Sequence, residues 1–222
     1  MFSNAICQDG FDFIVRQHVG EAVGTNENQV VLNDPTADIV DLDYPEIPVN
    51  DDGDEFNDPL TFICQIRCEE LAPYDVENLL PHEGMLYFFG ALDYFLGNFE
   101  AVSNPGMGEW EAPYFKVLYA PSCKDLHEHQ ILCEDGTPYG LPAESIEFSY
   151  DAEPEYSTRL LGEPYIEEVR EDMPGMISLL QIDEDDDWHL RFYDCGMVNF
   201  LISKDDLLNR RWQYTKCYLF SF

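Results

Sequence analysis

Positive charge is what this chain has least of. Over 222 residues, 11 Lys and Arg stand against 45 Asp and Glu, a formal net charge of −34. Binding a phosphate backbone or an anionic bilayer requires Lys and Arg to displace counterions, so neither nucleic acid nor a membrane surface is expected as a partner. No apolar run approaches the ~18 residues of a membrane-spanning helix. Met1 to Gly10 carries Asp9 and no Lys or Arg, and no apolar stretch follows, so no secretory leader is expected. The seven cysteines (Cys7, Cys64, Cys68, Cys123, Cys133, Cys195, Cys217) form no Cys-x-x-Cys pair, which argues against a zinc knuckle or a thioredoxin-type motif. Reduced thiols in a cytoplasm is the natural reading. There is no Gly-x-Ser-x-Gly elbow and no Gly-rich loop leading into Lys-Ser or Lys-Thr. Carboxylate pairs abound, but among so many acids a chance pair carries no weight. An enzyme is not expected, nor a cofactor or a specific metal.

What the chain does have is apolar residues, 45% of the total, with 14% aromatics. That suffices for a sizeable core despite the charge. Two apolar stretches resemble each other. Phe62-Ile63-Cys64-Gln65-Ile66 is followed by Gly84-Met85-Leu86-Tyr87-Phe88-Phe89, and Leu179-Leu180-Gln181-Ile182-Asp183 by Gly196-Met197-Val198-Asn199-Phe200-Leu201. Each has a lone Gln before Ile, then a Gly-Met turn into a second apolar run. A repeat of this kind predicts an internally duplicated body, with units at about 60–120 and 160–222.

Along the chain, residues 33–58 form a Pro-punctuated acidic segment without a Lys or Arg, and Asn50 to Glu55 reads as a solvated turn. Leu60 to Arg67 reads as a buried strand, Glu69 to Leu80 as a short helix broken by Pro73, and Met85 to Phe89 as a strand. Tyr114 to Ala120 alternates like another strand, a short helix is expected around Cys123 to Gln130, and a Pro-rich acidic bridge spans about 136–154. Ser203 and Asp206 have the spacing of a helix N-cap box, with the helix running to about Arg210, and Tyr214 to Phe222 reads as a closing strand. Short helices that do not alternate with strands predict an α+β fold, mostly antiparallel, in one compact body over residues 1–222.

With these motifs in view, the chain resembles the YwqG-like family, whose biochemical function is unassigned. The resemblance rests on Leu161-Gly162-Glu163-Pro164, Leu179 to Asp183, Trp188 and Asp194 to Ser203, and in the first half on Phe62 to Ile66 and Leu80 to Phe89. It covers roughly residues 60–222; nothing before Leu60 matches the Gly-x-Pro segment that opens the family's first half. It implies an α+β fold with a duplicated sheet, and no reaction. Some similar proteins are suspected to neutralise toxins.

Several residues then stand as site candidates. Gln65 and Gln181 sit among apolar neighbours, where an unpartnered amide costs on the order of 1–3 kcal/mol. Either each braces an adjacent strand, or, with Gly84 and Gly196, they line a shared cleft between the halves. Asp183, Asp185, Asp187 and Asp194 fall at positions 1, 3, 5 and 12 of a calcium-loop register, but Trp188 occupies the position that needs Gly. His127-Glu128-His129 has metal-capable side chains but no third ligand at a suitable spacing. Asp183, Asp185, Asp186 and Asp187 with Trp188, and secondarily Asp51, Asp52, Asp54 and Glu55, form the candidate surface for a basic protein, with Trp188 as an exposed anchor. The net charge serves either solubility or such a partner. The expectation is a non-enzymatic cytoplasmic interaction protein, an inhibitor or immunity-type factor being one case. The alternative is a small-molecule or cation-binding module.

Overall fold

A computed structural model of the chain describes residues 11–16, 30–31, 45–51, 54–123, 128–129, 131–133, 136–137, 139–141, 145–148 and 158–222. Among these residues fourteen strands run in chain order: β1 Phe11–Arg16, β2 Val30–Val31, β3 Glu46–Asp51, β4 Asp54–Pro59, β5 Thr61–Arg67, β6 Met85–Gly90, β7 Gly108–Trp110, β8 Phe115–Ala120, β9 Glu128–His129, β10 Ser145–Phe148, β11 Arg159–Leu160, β12 Met176–Asp183, β13 Gly196–Ser203 and β14 Lys216–Ser221. Every strand pairing among the described residues is antiparallel. A large sheet has the order β10-β1-β11-β12-β13-β14-β7 and a small one β5-β6-β8, while β3–β4 and β2–β9 are separate two-stranded ribbons.

The α+β, internally duplicated body expected from the sequence is corrected here. Among the described residues the α-helices are short pieces, α1 Cys68–Leu71, α2 Glu167–Asp172 and α3 Lys204–Leu208, and the fold is mostly antiparallel β, as the sequence reading expected of its sheets. The expected division into two matching units is not confirmed. The strand β7, from the first stretch of sequence, hydrogen-bonds to β14 of the second, and one Gln-Ile run lies in the small sheet while the other lies inside the large one. What the recurring sequence encodes is a hairpin, β5–β6 in one place and β12–β13 in the other. Each hairpin has a register shift, between Phe62 and Cys64 and between Ser178 and Leu180. The extra residues, Ile63 and Leu179, are buried in the main core. These strands read as continuous apolar runs because both of their faces are covered, by the main core on one side and by smaller apolar clusters on the other.

The main core lies between the two sheets. Cys64, Ile66, Leu86, Phe88 and Val117 of the small sheet meet Leu160, Leu180, Ile182, Val198, Phe200, Cys217 and Leu219 of the large one. Phe88 and Phe200 touch edge to face, 5.4 Å between ring centroids, an arrangement that adds about 0.5–1.5 kcal/mol to the burial itself. The far face of the small sheet carries Phe62, Met85, Tyr87, Phe89 and Ala120 beneath Ile47 and Leu60. The far face of the large sheet carries Met197 and Leu201 beneath Ile166, Val169 and Met173.

Local elements follow local chemistry. Ser203 caps α3, its hydroxyl oxygen accepting the backbone N–H of Asp206 at 3.1 Å, as the spacing predicts. That helix stops at Leu208, two residues short of the sequence reading. The expected helix over 69–80 shrinks to α1, with Pro73 just beyond it. Leu79 and Leu80 are instead arranged by the buried carboxylate of Asp75, which accepts the N–H groups of Leu79 at 3.0 Å and Leu80 at 2.7 Å. Within the helix expected around 123–130, Glu128 and His129 form the strand β9 paired with Val30 and Val31; residues 124–127 lie outside the described residues. The acidic segment 33–58 contributes the β3–β4 ribbon, in which Asn50 pairs with Glu55 and Asp51 with Asp54. At the edge of the large sheet β7 is three residues long, and there Glu109 pairs with Lys216 at 2.9 Å.

Candidate functional site

The turn between β12 and β13 is built by its own acids. Asp183 Oδ1 accepts the backbone N–H of Glu184 at 2.8 Å, and Asp185 Oδ1 accepts that of Trp188 at 2.9 Å. Asp185 and Leu190 form a short antiparallel bridge. Glu184, which the sequence reading passed over, organises the whole turn. Its Oε1 accepts N–H groups from both Phe192 (2.8 Å) and Gly196 (3.3 Å). Burial pushes the Asp183 carboxyl above the ordinary carboxylate range, partly offset by its hydrogen bond from Glu184. Asp186 and Asp187 point to solvent, Asp186 pairing with Arg191.

Trp188 is not the exposed anchor expected. It is half-buried against the main core, and its indole N–H is buried without a hydrogen-bond partner among the described residues. The apolar surface beside the acids is made by other rings. Tyr94 contacts Phe99 edge to face at 5.5 Å and Tyr193 at 6.2 Å, and Phe95 lies beneath Tyr193 at 5.4 Å. Phe95 in turn stacks on Trp110 and touches Phe192. Phe99 is 75% exposed and Tyr193 44%. The patch joins the acidic turn through Arg191, whose N–H bonds the Phe95 carbonyl at 2.9 Å and whose guanidinium meets Asp186. Exposed carboxylates follow both open rings in sequence, Glu100 after Phe99 and Asp194 after Tyr193. These rings were missed because aromatic residues in a β-rich chain read as core. The available signal was an aromatic-acid pair flanked by Gly and Asn or Cys, in Gly97-Asn98-Phe99-Glu100 and Tyr193-Asp194-Cys195-Gly196.

Gln65 and Gln181 do not share a cleft. Gln65 lies opposite Tyr87 on the far face of the small sheet, and Gln181 lies opposite Arg159 and Asn199 on the far face of the large one. The space between the sheets is filled by the main core. Arg159, Gln181, Asn199 and Ser178 form a buried polar row on that far face. Gln181 Oε1 accepts the Tyr165 N–H at 3.1 Å, and Asn199 Oδ1 accepts the Ser178 hydroxyl at 3.1 Å. Beyond Asn199 in the same row, the Tyr218 hydroxyl donates to Asp172 of α2, and that carboxylate pushes the Tyr218 pKa up to about 12. Gly84 and Gly196 are fixed by close approach. A Cβ at Gly84 would lie 2.3 Å from the Ala120 carbonyl oxygen, at a φ of +84°, and one at Gly196 would lie 2.5 Å from that of Phe192.

The secondary surface falls at the tip of the β3–β4 ribbon, where Asp51, Asp54 and Glu55 belong to the strands. Asp52 lies outside the described residues, as does His127. Asp183 and Asp185 of the calcium register are engaged with backbone N–H groups. Among the described residues no group of three or more His, Cys, Asp or Glu side chains is placed to hold a metal ion. Burial raises the thiols of Cys64 and Cys217, and that of Cys68 to about 12, so these are unreactive core residues. No helix among the described residues is long and apolar enough to cross a membrane.

No curated protein matches the chain. One family model does, over residues 41–168 and again over 154–219, and it takes in the small sheet, the acidic turn, the aromatic patch and the large sheet apart from β1 and the end of β14. On that match the chain belongs to the family described as Domain of unknown function (DUF1963).

Proposed function

We propose that this protein is a non-enzymatic interaction module that binds a basic protein through the exposed acids of the 183–196 turn. The observation that carries the reading is how seven of the eleven cations are used. Arg67, Arg191, Lys204, Arg211 and Lys216 are paired with Glu70, Asp186, Glu77, Asp205 with Asp206, and Glu109. Arg170 and Arg210 are spent on backbone carbonyls, those of Pro164 with Tyr165 and of Leu79 with Leu207. Many of the described carboxylates, Asp186, Asp187 and Asp194 among them, face solvent, a field that steers a positive partner and speeds its association. Inhibition of a basic enzyme such as a nuclease is one function such a surface serves. A cytoplasmic setting belongs to the same proposal, since the described cysteines are free thiols, Cys133 and Cys195 exposed.

The test is affinity capture washed at low and then moderate salt, followed by kinetics on the retained protein. Asp186 and Asp187 are changed together to Lys, and Asp185 is left alone because it holds the turn. The expected result is one basic protein retained at moderate salt, and a slower association with a shallower salt dependence for the variant. Loss of every bound protein together as salt rises, or kinetics untouched by the charge reversal, rejects the reading.

A further inference from the structure

We propose that the patch formed by Tyr94, Phe99 and Tyr193 is the contact point for arginine side chains of the basic partner, and so selects arginine over lysine. The inference rests on the basic-partner reading and adds the group that is recognised. Phe99 and Tyr193 expose their rings beside the acidic turn, and each is followed by an exposed carboxylate, Glu100 and Asp194. An open aromatic face with a neighbouring carboxylate suits the guanidinium, which is planar, weakly hydrated and able to stack and hydrogen-bond together. The compact, strongly hydrated ammonium of lysine gains less from a ring. The chain holds its own example of this chemistry. The Arg211 guanidinium lies 5.8 Å over the ring of Tyr214 while pairing with Asp205 and Asp206.

Two features show that the rings are held outward. Tyr94 is braced by Phe95, which is packed into the main core against Trp110 and Phe192, so the patch stands on a rigid floor. Tyr193 sits at a φ of +67°, a left-handed conformation that a bulky residue adopts only under constraint from its surroundings. Phe192 beside it is buried and Glu184 holds its N–H, so the chain turns sharply and the next ring emerges at the surface.

The experiment compares oligo-arginine and oligo-lysine peptides of equal length and charge, by titration calorimetry at low salt, against the parent protein and two variants. Phe99→Ala removes a largely exposed ring. Tyr193→Gly removes the other and relieves the left-handed backbone, so its melting temperature serves as a check that folding survives. The expected result is tighter binding of the arginine peptide to the parent, by roughly two- to fivefold for each stacked side chain. That preference disappears in both variants, because arginine-peptide binding falls further than lysine-peptide binding does. Equal affinity for the two peptides in the parent, or a preference that survives in both variants, overturns the inference and leaves the acidic-surface reading standing. Binding of neither peptide overturns that reading as well.

Discussion

The side-chain oxygen of Gln181 accepts the backbone N–H of Tyr165 across 3.1 Å, tying a central strand of the large sheet to the segment that leads into α2. Gln181 is fully buried, so an apolar side chain in its place leaves the half-buried Tyr165 N–H without this acceptor. Gln181→Leu is expected to cost about 1–3 kcal/mol. Urea unfolding would show this as a lower midpoint at an unchanged slope. A midpoint that does not move would mean the bond contributes nothing to stability.

Glu184 should separate an acceptor from a charge. Glu184→Gln keeps the oxygen that takes the Phe192 and Gly196 N–H groups, whereas Glu184→Ala abandons both. The alanine variant is expected to lose about 1–3 kcal/mol and the glutamine variant clearly less. Amide exchange at Phe192 and Gly196 should quicken in the first alone. Equal losses in the two variants would assign the effect to the carboxylate charge.

The glycines should rank by space. Around Gly97 a Cβ meets nothing within 4 Å, so Gly97→Ala bears only the left-handed backbone, about 1–2 kcal/mol. Gly84→Ala carries the same handedness plus a carbonyl oxygen at 2.3 Å, and overpacking adds about 1–3 kcal/mol. Thermal melts should therefore place Gly84→Ala well below Gly97→Ala. The reverse order would show that the β6 turn yields easily.

Alkaline pH should weaken the protein partly through Tyr218. Its hydroxyl donates a hydrogen bond to the Asp172 carboxylate, and its pKa rises from 10 to about 12 on folding. The native state then holds the proton more tightly than the unfolded chain. The contribution is complete below about pH 10 and is lost as pH climbs toward 12. Tyr87 and Tyr139 are also shifted upward by burial, so the useful quantity is a difference between proteins. Tyr218→Phe should lose less stability than the parent over that window, and parallel curves would show that the hydroxyl is not coupled to folding.

Much of the strand framework is legible in the sequence. The runs at Leu60, Met85, Tyr114, Leu179, Gly196 and Tyr214 each correspond to a strand, and the Ser203 cap is where its spacing puts it. These features rest on local chemistry, which a linear reading captures. How the hairpins are shared between sheets depends on partners far away in the chain, such as Cys217 opposite Trp110, and no periodicity encodes it. The same gap explains Gln65 and Gln181. Their common sequence setting suggests a common site, but bulges at Ile63 and Leu179 and the packing of Phe88 on Phe200 turn them to opposite outer faces. Trp188 was misread for a simpler reason: its acidic neighbours suggest exposure, but two of them fold back onto the backbone and let the ring settle against the core.

The short strand β7 has one more effect. A sheet edge offers unpaired N–H and C=O groups to any passing strand, and long flat edges are where chains stack into fibres. This edge is three residues long, starts at a glycine with left-handed φ and sets Glu109 in its middle, paired with Lys216. A second copy arriving there would find little ladder to join and would have to bury a charge. The large sheet is thus closed to its own kind on that side, and the protein can be concentrated without seeding its own aggregation there.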